Sequence, residues 1–197
     1  MNADLYDFDK TIYPTDSETV FWLYCLKKKP SLIRFLPVQI AAMLLFVMKV
    51  GDTDKHKSTL FSFLKAVDTE RMVRAFWEDH IHKIFPYFLD RDKTTPVVVC
   101  SASPEFLVKP ICEKLGVAHT IATRMNPKNG RIQGRNCKGA EKVRRLREHF
   151  DDLEFEGVYT DSLKNDAPIL ALGKRRFHVV KGTVTDITDR TDSHADC

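Results

Sequence analysis

Asp7 and Asp9, two residues apart in Asp7-Phe8-Asp9-Lys10-Thr11, close a short apolar run near the start of the chain. Delivered by the end of a buried strand, two such carboxylates can face one bound cation and one phosphate group together. Paired acids also cap ordinary turns, so this spacing is informative only alongside other polar strand ends. Two further segments supply them. Ser101 ends the β-branched run Thr95-Pro-Val-Val-Val-Cys-Ser and precedes a helix start at Pro104. Its hydroxyl and the neighbouring backbone N–H groups, that of Ala102 among them, are placed to receive phosphate oxygens, although Ser101 or Ser103 would serve equally well as a plain helix cap. Asp161 follows a third apolar run and leads into Asn165 and Asp166 within Tyr159-Thr-Asp-Ser-Leu-Lys-Asn-Asp-Ala-Pro. A hard cation such as Mg2+ takes oxygen ligands and keeps several waters, so Asp7, Asp161, one backbone carbonyl and solvent would suffice.

The elements that must position these residues are legible in the same runs. Residues 3–7, 95–101, 155–159 and 176–180 read as short strands separated by helical stretches. That is the pattern of a parallel sheet whose ligands collect at the carboxyl ends of its strands. The expected fold class is α/β, a Rossmann-like parallel sheet with flanking helices. Residues 15–94 show helical periodicity, as in Phe21, Trp22, Cys25 and Leu26 or Phe61, Leu64 and Val67, with almost no strand signal. This is too long for a crossover and reads as an inserted helical cap over the sheet edge. The expected organisation is a core domain of residues 1–14 and 95–182, a cap domain of 15–94, and a flexible Thr- and Asp-rich tail over 183–197.

Composition excludes little but sets the frame. Over 197 residues, 43% hydrophobic and 29% charged is the balance of a globular chain rather than of a fibre or a multispan membrane protein. A net charge of +4 is too small to imply nucleic acid, and the runs Lys27–Lys29 and Arg144-Arg145-x-Arg147 read as solvated surface. Five cysteines without a paired spacing fit a reducing setting, and the acidic start lacks the basic-then-apolar pattern of an export signal. A cytoplasmic location is expected.

Taken in chain order, Asp7-Phe-Asp-Lys-Thr11, Ser101, a lysine within Cys137-Lys-Gly-Ala-Glu-Lys-Val143, and Tyr159-Thr-Asp-Ser-Leu-Lys-Asn-Asp166 resemble the four signature motifs of the haloacid dehalogenase (HAD) superfamily. The resemblance covers residues 5 to about 170, and the four segments are specific jointly rather than singly. It implies a Mg2+-dependent phosphatase in which Asp7 is the nucleophile and forms an aspartyl-phosphate. Asp9 is then the general acid/base. Ser101 and Ala102 bind the phosphoryl group, and a lysine neutralises its charge. Lys142 fits the Cys-x-Gly-x-x-Lys-Val form of this branch and is favoured, while Lys138 fits relatives in which the lysine directly precedes the glycine. Four residues apart, the two would stack on one helix face. Lys142 is therefore assigned to catalysis and Lys138 to substrate binding. The implied metal set is Asp7, Asp9, Asp161 and Asp166, with Asp166 acting behind a direct ligand or through a water.

A helical cap between the first two motifs resembles the phosphoserine-phosphatase-like branch, with a further resemblance to bacterial HAD phosphatidylglycerophosphatases. The latter rests on Asp16, the aromatic-rich Phe21–Leu26, the basic run Lys27–Pro30 and the apolar stretch Phe35–Met48. That stretch is short for a membrane span and reads as a buried cap helix, the alternative being a helix lying in the membrane interface. The expected substrate is a small soluble phosphate monoester such as phosphoserine, recognised by cap residues among Asp16, Glu18, Arg71 and Arg74. A lipid phosphate at the membrane surface, transfer to an alcohol, and a non-catalytic phosphate-binding scaffold are the alternatives. His80-Ile-His82 reads as helix surface rather than a metal site.

Overall fold

The computed structural model describes residues 2–48 and 50–189. After β1 (Asp4–Tyr6) come α1 (Ser17–Lys28), α2 (Leu36–Val47), α3 (Thr53–Leu60), α4 (Thr69–His80) and α5 (Pro86–Leu89), with no strand between them among the described residues. The chain then alternates through β2 (Val97–Pro104), α6 (Glu105–Lys114), β3 (His119–Thr123), α7 (Ala140–Arg147), β4 (Phe155–Thr160), α8 (Ala167–Leu170), β5 (Gly173–Val180) and β6 (Thr183–Asp186). The sheet order is β3-β2-β1-β4-β5-β6, parallel except for the antiparallel β5–β6 pair. This is an α/β fold. β1 lies between β2 and β4, so the loops leaving those three strands emerge side by side.

Alternation along β2 explains why its run is apolar throughout. Val97 and Val99 face one cluster, which includes Phe21, Phe63, Phe76 and Leu107, while Val98 and Cys100 face another with Leu5, Leu146 and Val158. A strand buried on both faces loses the polar half of its pattern. The first cluster joins the inserted helices to the sheet as one continuous core. Asp16, Asp52 and Asp68 cap α1, α3 and α4 by accepting backbone N–H groups, each contribution being about 1 kcal/mol.

Three expectations change. β3 is an edge strand whose exposed His119 and mixed sequence hide it from pattern reading. Residues 183–186, expected to open a flexible tail, form β6 against β5, because Lys181 and Gly182 make a tight turn at φ 50° and 83°. Residues 190–197 of that tail lie outside the described residues. The stretch read as a buried cap helix is largely exposed as α2, where only Gln39 and Ala42 are buried. Near the inserted helices, Gly130 is required by close approach: at φ 75°, a Cβ there would lie 2.3 Å from the Phe61 carbonyl oxygen.

Candidate active site

The loop after β1 is wound tightly. The N–H groups of Thr11, Ile12 and Tyr13 all converge on the Phe8 carbonyl, and Lys10 takes φ 59°. Asp7 stays beside the strand end, its own N–H donating to the Tyr159 carbonyl at 2.9 Å. From α7, Lys142 reaches under it: Nζ donates to Asp7 Oδ1 at 2.7 Å and lies 2.8 Å from Asp166 Oδ1. Asp166 is also held by the Thr160 hydroxyl, which donates to Oδ2 at 2.7 Å from the end of β4.

Asp7, Asp161 and Asp166 each offer a carboxylate oxygen, and these atoms lie within 4.8 Å of one another. An all-oxygen donor set of this charge fits a hard divalent cation with waters completing its shell. Burial raises the Asp7 carboxyl above the usual range, and the Asp166 and Asp161 carboxylates push the same way against the Lys142 ammonium. Burial works against the charge on Lys142, but Asp7 and Asp166 outweigh it and hold the ammonium protonated.

Asp9 is held differently. Its Oδ1 accepts the Ser17 backbone N–H at 2.7 Å at the start of α1, and its Oδ2 accepts the Ser103 hydroxyl at 2.5 Å. Its carboxylate therefore stands outside the three-acid cluster in which it was expected. Burial lifts its carboxyl to about 7 in spite of the two hydrogen bonds. Ser101 is buried at the end of the apolar part of β2, and its Oγ accepts the Ser103 N–H at 3.1 Å. Ala102 and both lysines line the same cleft, which has a volume of about 630 Å³. Lys138 sits exposed on the rim ahead of α7 instead of sharing a helix face with Lys142, because Gly139, at φ 57°, separates it from the first turn.

The cleft also contains residues that sequence reading missed. Lys57 on α3 is buried, and its Nζ donates to Glu18 Oε1 at 2.5 Å, the Ala102 carbonyl at 2.9 Å and Asn136 Oδ1 at 3.1 Å. Nothing in Thr53-Asp-Lys-His-Lys-Ser-Thr-Leu60 marks this lysine, since its partners come from α1, β2 and the loop before α7. Burial raises the Glu18 carboxyl, with Lys57 opposing. Asp16 and Glu18 line the cleft, whereas Arg71 and Arg74 do not. His80 lies apart from the acids, its Nδ1 at 2.8 Å from the Phe76 carbonyl.

The sequence pattern defining the haloacid dehalogenase-like hydrolases matches residues 5–171, the span that carries every one of these acids and Lys142. The chain belongs to this family. Protein CicA of Caulobacter vibrioides is 28% identical over 199 residues, spanning 90% of this chain and 86% of CicA. A probable phosphatase of Mycobacterium tuberculosis is 40% identical over 81 residues, which is 38% of this chain and 28% of that protein. Among solved structures, a protein of unknown function from Bordetella pertussis superposes with a TM-score of 0.71 at 22% identity, over 88% of this chain and 87% of that one. The last is a likeness of fold, and it places this HAD hydrolase among chains of the same overall shape.

Proposed function

We propose that this hydrolase is a Mg2+-dependent phosphatase that works through an aspartyl-phosphate on Asp7, with residues 15–94 acting as its cap. The observation that carries the reading is the convergence on Asp7 of a buried ammonium, Lys142, and two further carboxylates, Asp161 and Asp166. Those three acids would hold the metal, which would supply charge neutralisation for the phosphoryl oxygens. Asp7 attacks phosphorus as the P–O bond to the leaving alkoxide breaks, and Lys142 offsets the charge that builds on the phosphoryl group. Asp9, held by Ser17 and Ser103, carries the proton that the alkoxide takes up. Ionised by that transfer, Asp9 then removes a proton from water, and the resulting hydroxide attacks phosphorus and frees Asp7 and phosphate.

The cleft favours a substrate with an apolar portion. The apolar part of its lining includes Trp22, Leu36, Ile40, Met43, Phe46 and Phe61. Lys57 is occupied, because its three protons go to Glu18, Ala102 and Asn136, which leaves Lys10 and Lys138 as the other lysines lining the cleft besides Lys142. A lipid phosphate monoester fits these walls better than phosphoserine. Phosphoserine is the second reading, supported by Glu18 as a carboxylate facing a substrate amine.

The test is phosphate release from an aryl phosphate, phosphoserine and a lipid phosphate monoester, with and without Mg2+, for the wild type and Asp7→Asn. Mg2+-dependent release abolished by Asp7→Asn, with preference for the lipid, is expected. Release indifferent to Asp7 would sink the mechanism, and preference for phosphoserine would select the second reading.

A further inference from the structure

We propose that the segment Pro30–Val47 seats this protein on an anionic lipid bilayer, lying in the interface with the mouth of the cleft turned toward the lipid. The segment is long and apolar enough to cross a membrane by length and composition alone. Its outward residues are large and exposed: Ile33 61%, Ile40 56%, Leu44 59%, Val47 68% and, just beyond, Met48 69%. Exposed apolar surface of this extent marks a docking face rather than chance scatter.

One feature argues for lying on the membrane rather than spanning it: the segment is tied down. Gln39 is buried, accepting the Trp22 Nε1–H at 3.2 Å and donating to the Leu60 carbonyl at 2.7 Å. A spanning helix would have to break both hydrogen bonds.

Charge selects the occupant. Between Thr19 and Gly51 there is no Asp or Glu, whereas Lys27, Lys28, Lys29, Arg34 and Lys49 fall within that span. Lys27 and Arg34 are exposed, whereas Lys28 is engaged with Asp79 at 3.9 Å and Lys29 with the Ala66 carbonyl at 2.6 Å. Such a fringe attracts anionic headgroups and repels the same fringe on a second copy of this chain. The face is continuous with the catalytic cleft, since Leu36, Ile40 and Met43 also form its wall. An amphiphilic phosphate could thus move from the bilayer to Asp7 along α2.

Only the orientation of the cleft mouth rests on the phosphatase reading, because vesicle binding requires no turnover. The experiment is flotation with phosphatidylcholine vesicles, with and without phosphatidylglycerol, for the wild type, Asp7→Asn, Leu44→Asp/Val47→Asp and Lys27→Ala/Arg34→Ala. The wild type and Asp7→Asn are expected to float alike with the phosphatidylglycerol vesicles, and less as salt rises. The apolar double variant should lose about tenfold or more in binding while hydrolysing a soluble aryl phosphate as the wild type does. The basic double variant should lose its preference for phosphatidylglycerol. No wild-type flotation, or equal flotation of the apolar variant, overturns the proposal. So does a wild-type dimer in sedimentation equilibrium that Leu44→Asp/Val47→Asp dissociates, which would make the face an interface between copies.

Discussion

Lys142 Nζ lies 2.7 Å from Asp7 Oδ1, and both side chains are almost wholly buried, so the ion pair is shielded from solvent. Asp166 shares the same ammonium at 2.8 Å. Lys142→Met would leave two carboxylates facing each other without a counter-charge. Steady-state hydrolysis of an aryl phosphate should fall about 10²- to 10³-fold in kcat, the usual cost of a lost preorganised donor. Unchanged kcat would remove Lys142 from the chemistry.

Asp9 should set a pH limb. Its carboxyl is lifted to about 7, chiefly by burial, so it is protonated below that pH and ionised above it. Protonating an alkoxide needs the acid form, so kcat/KM for an alkyl phosphate should decline as pH rises through about 7. Asp9→Asn should abolish this limb and slow alkyl phosphates far more than aryl phosphates, whose leaving groups need no proton. A pH–rate profile that survives Asp9→Asn would assign the limb elsewhere.

The three-acid cluster predicts how the metal is felt. Asp161 is half-buried, and burial raises its carboxyl, with Lys10 opposing and Asp166 adding to the rise. Asp161→Asn should increase the Mg2+ concentration for half-maximal activity by about tenfold or more. Mg2+ should also raise the wild type's thermal midpoint, because it binds the folded acids together. An Asp161→Asn protein with wild-type Mg2+ dependence would exclude it from the site.

Lys57 predicts a stability effect located between the inserted helices and the sheet. Its side chain is 7% exposed and that of Glu18 20%. Lys57→Met would leave Glu18 unpaired in a poorly solvated position, at a cost of about 3–5 kcal/mol in denaturant unfolding. Lys57→Met/Glu18→Gln should recover part of that loss. Full additivity of the two substitutions would mean that the pair contributes nothing.

Local chemistry determined much of this molecule. Asp7, Ser101 and Asp161 each follow an apolar run, and such runs become strands whose ends deliver polar groups into loops. That was enough to read the α/β fold. Long-range geometry decided the rest. Lys138 and Lys142 are alike in sequence, and only the backbone turn at Gly139 sends one to the rim and the other beneath Asp7. Lys57 meets Glu18, Ala102 and Asn136 across distant parts of the chain, a juxtaposition that no local pattern encodes. The apolar content of α2 was plain in the sequence, but its exposure was not. A stretch apolar on all sides is compatible with a buried core or with a face left uncovered, and only the placement of its neighbours, with Gln39 turned inward, separates the two.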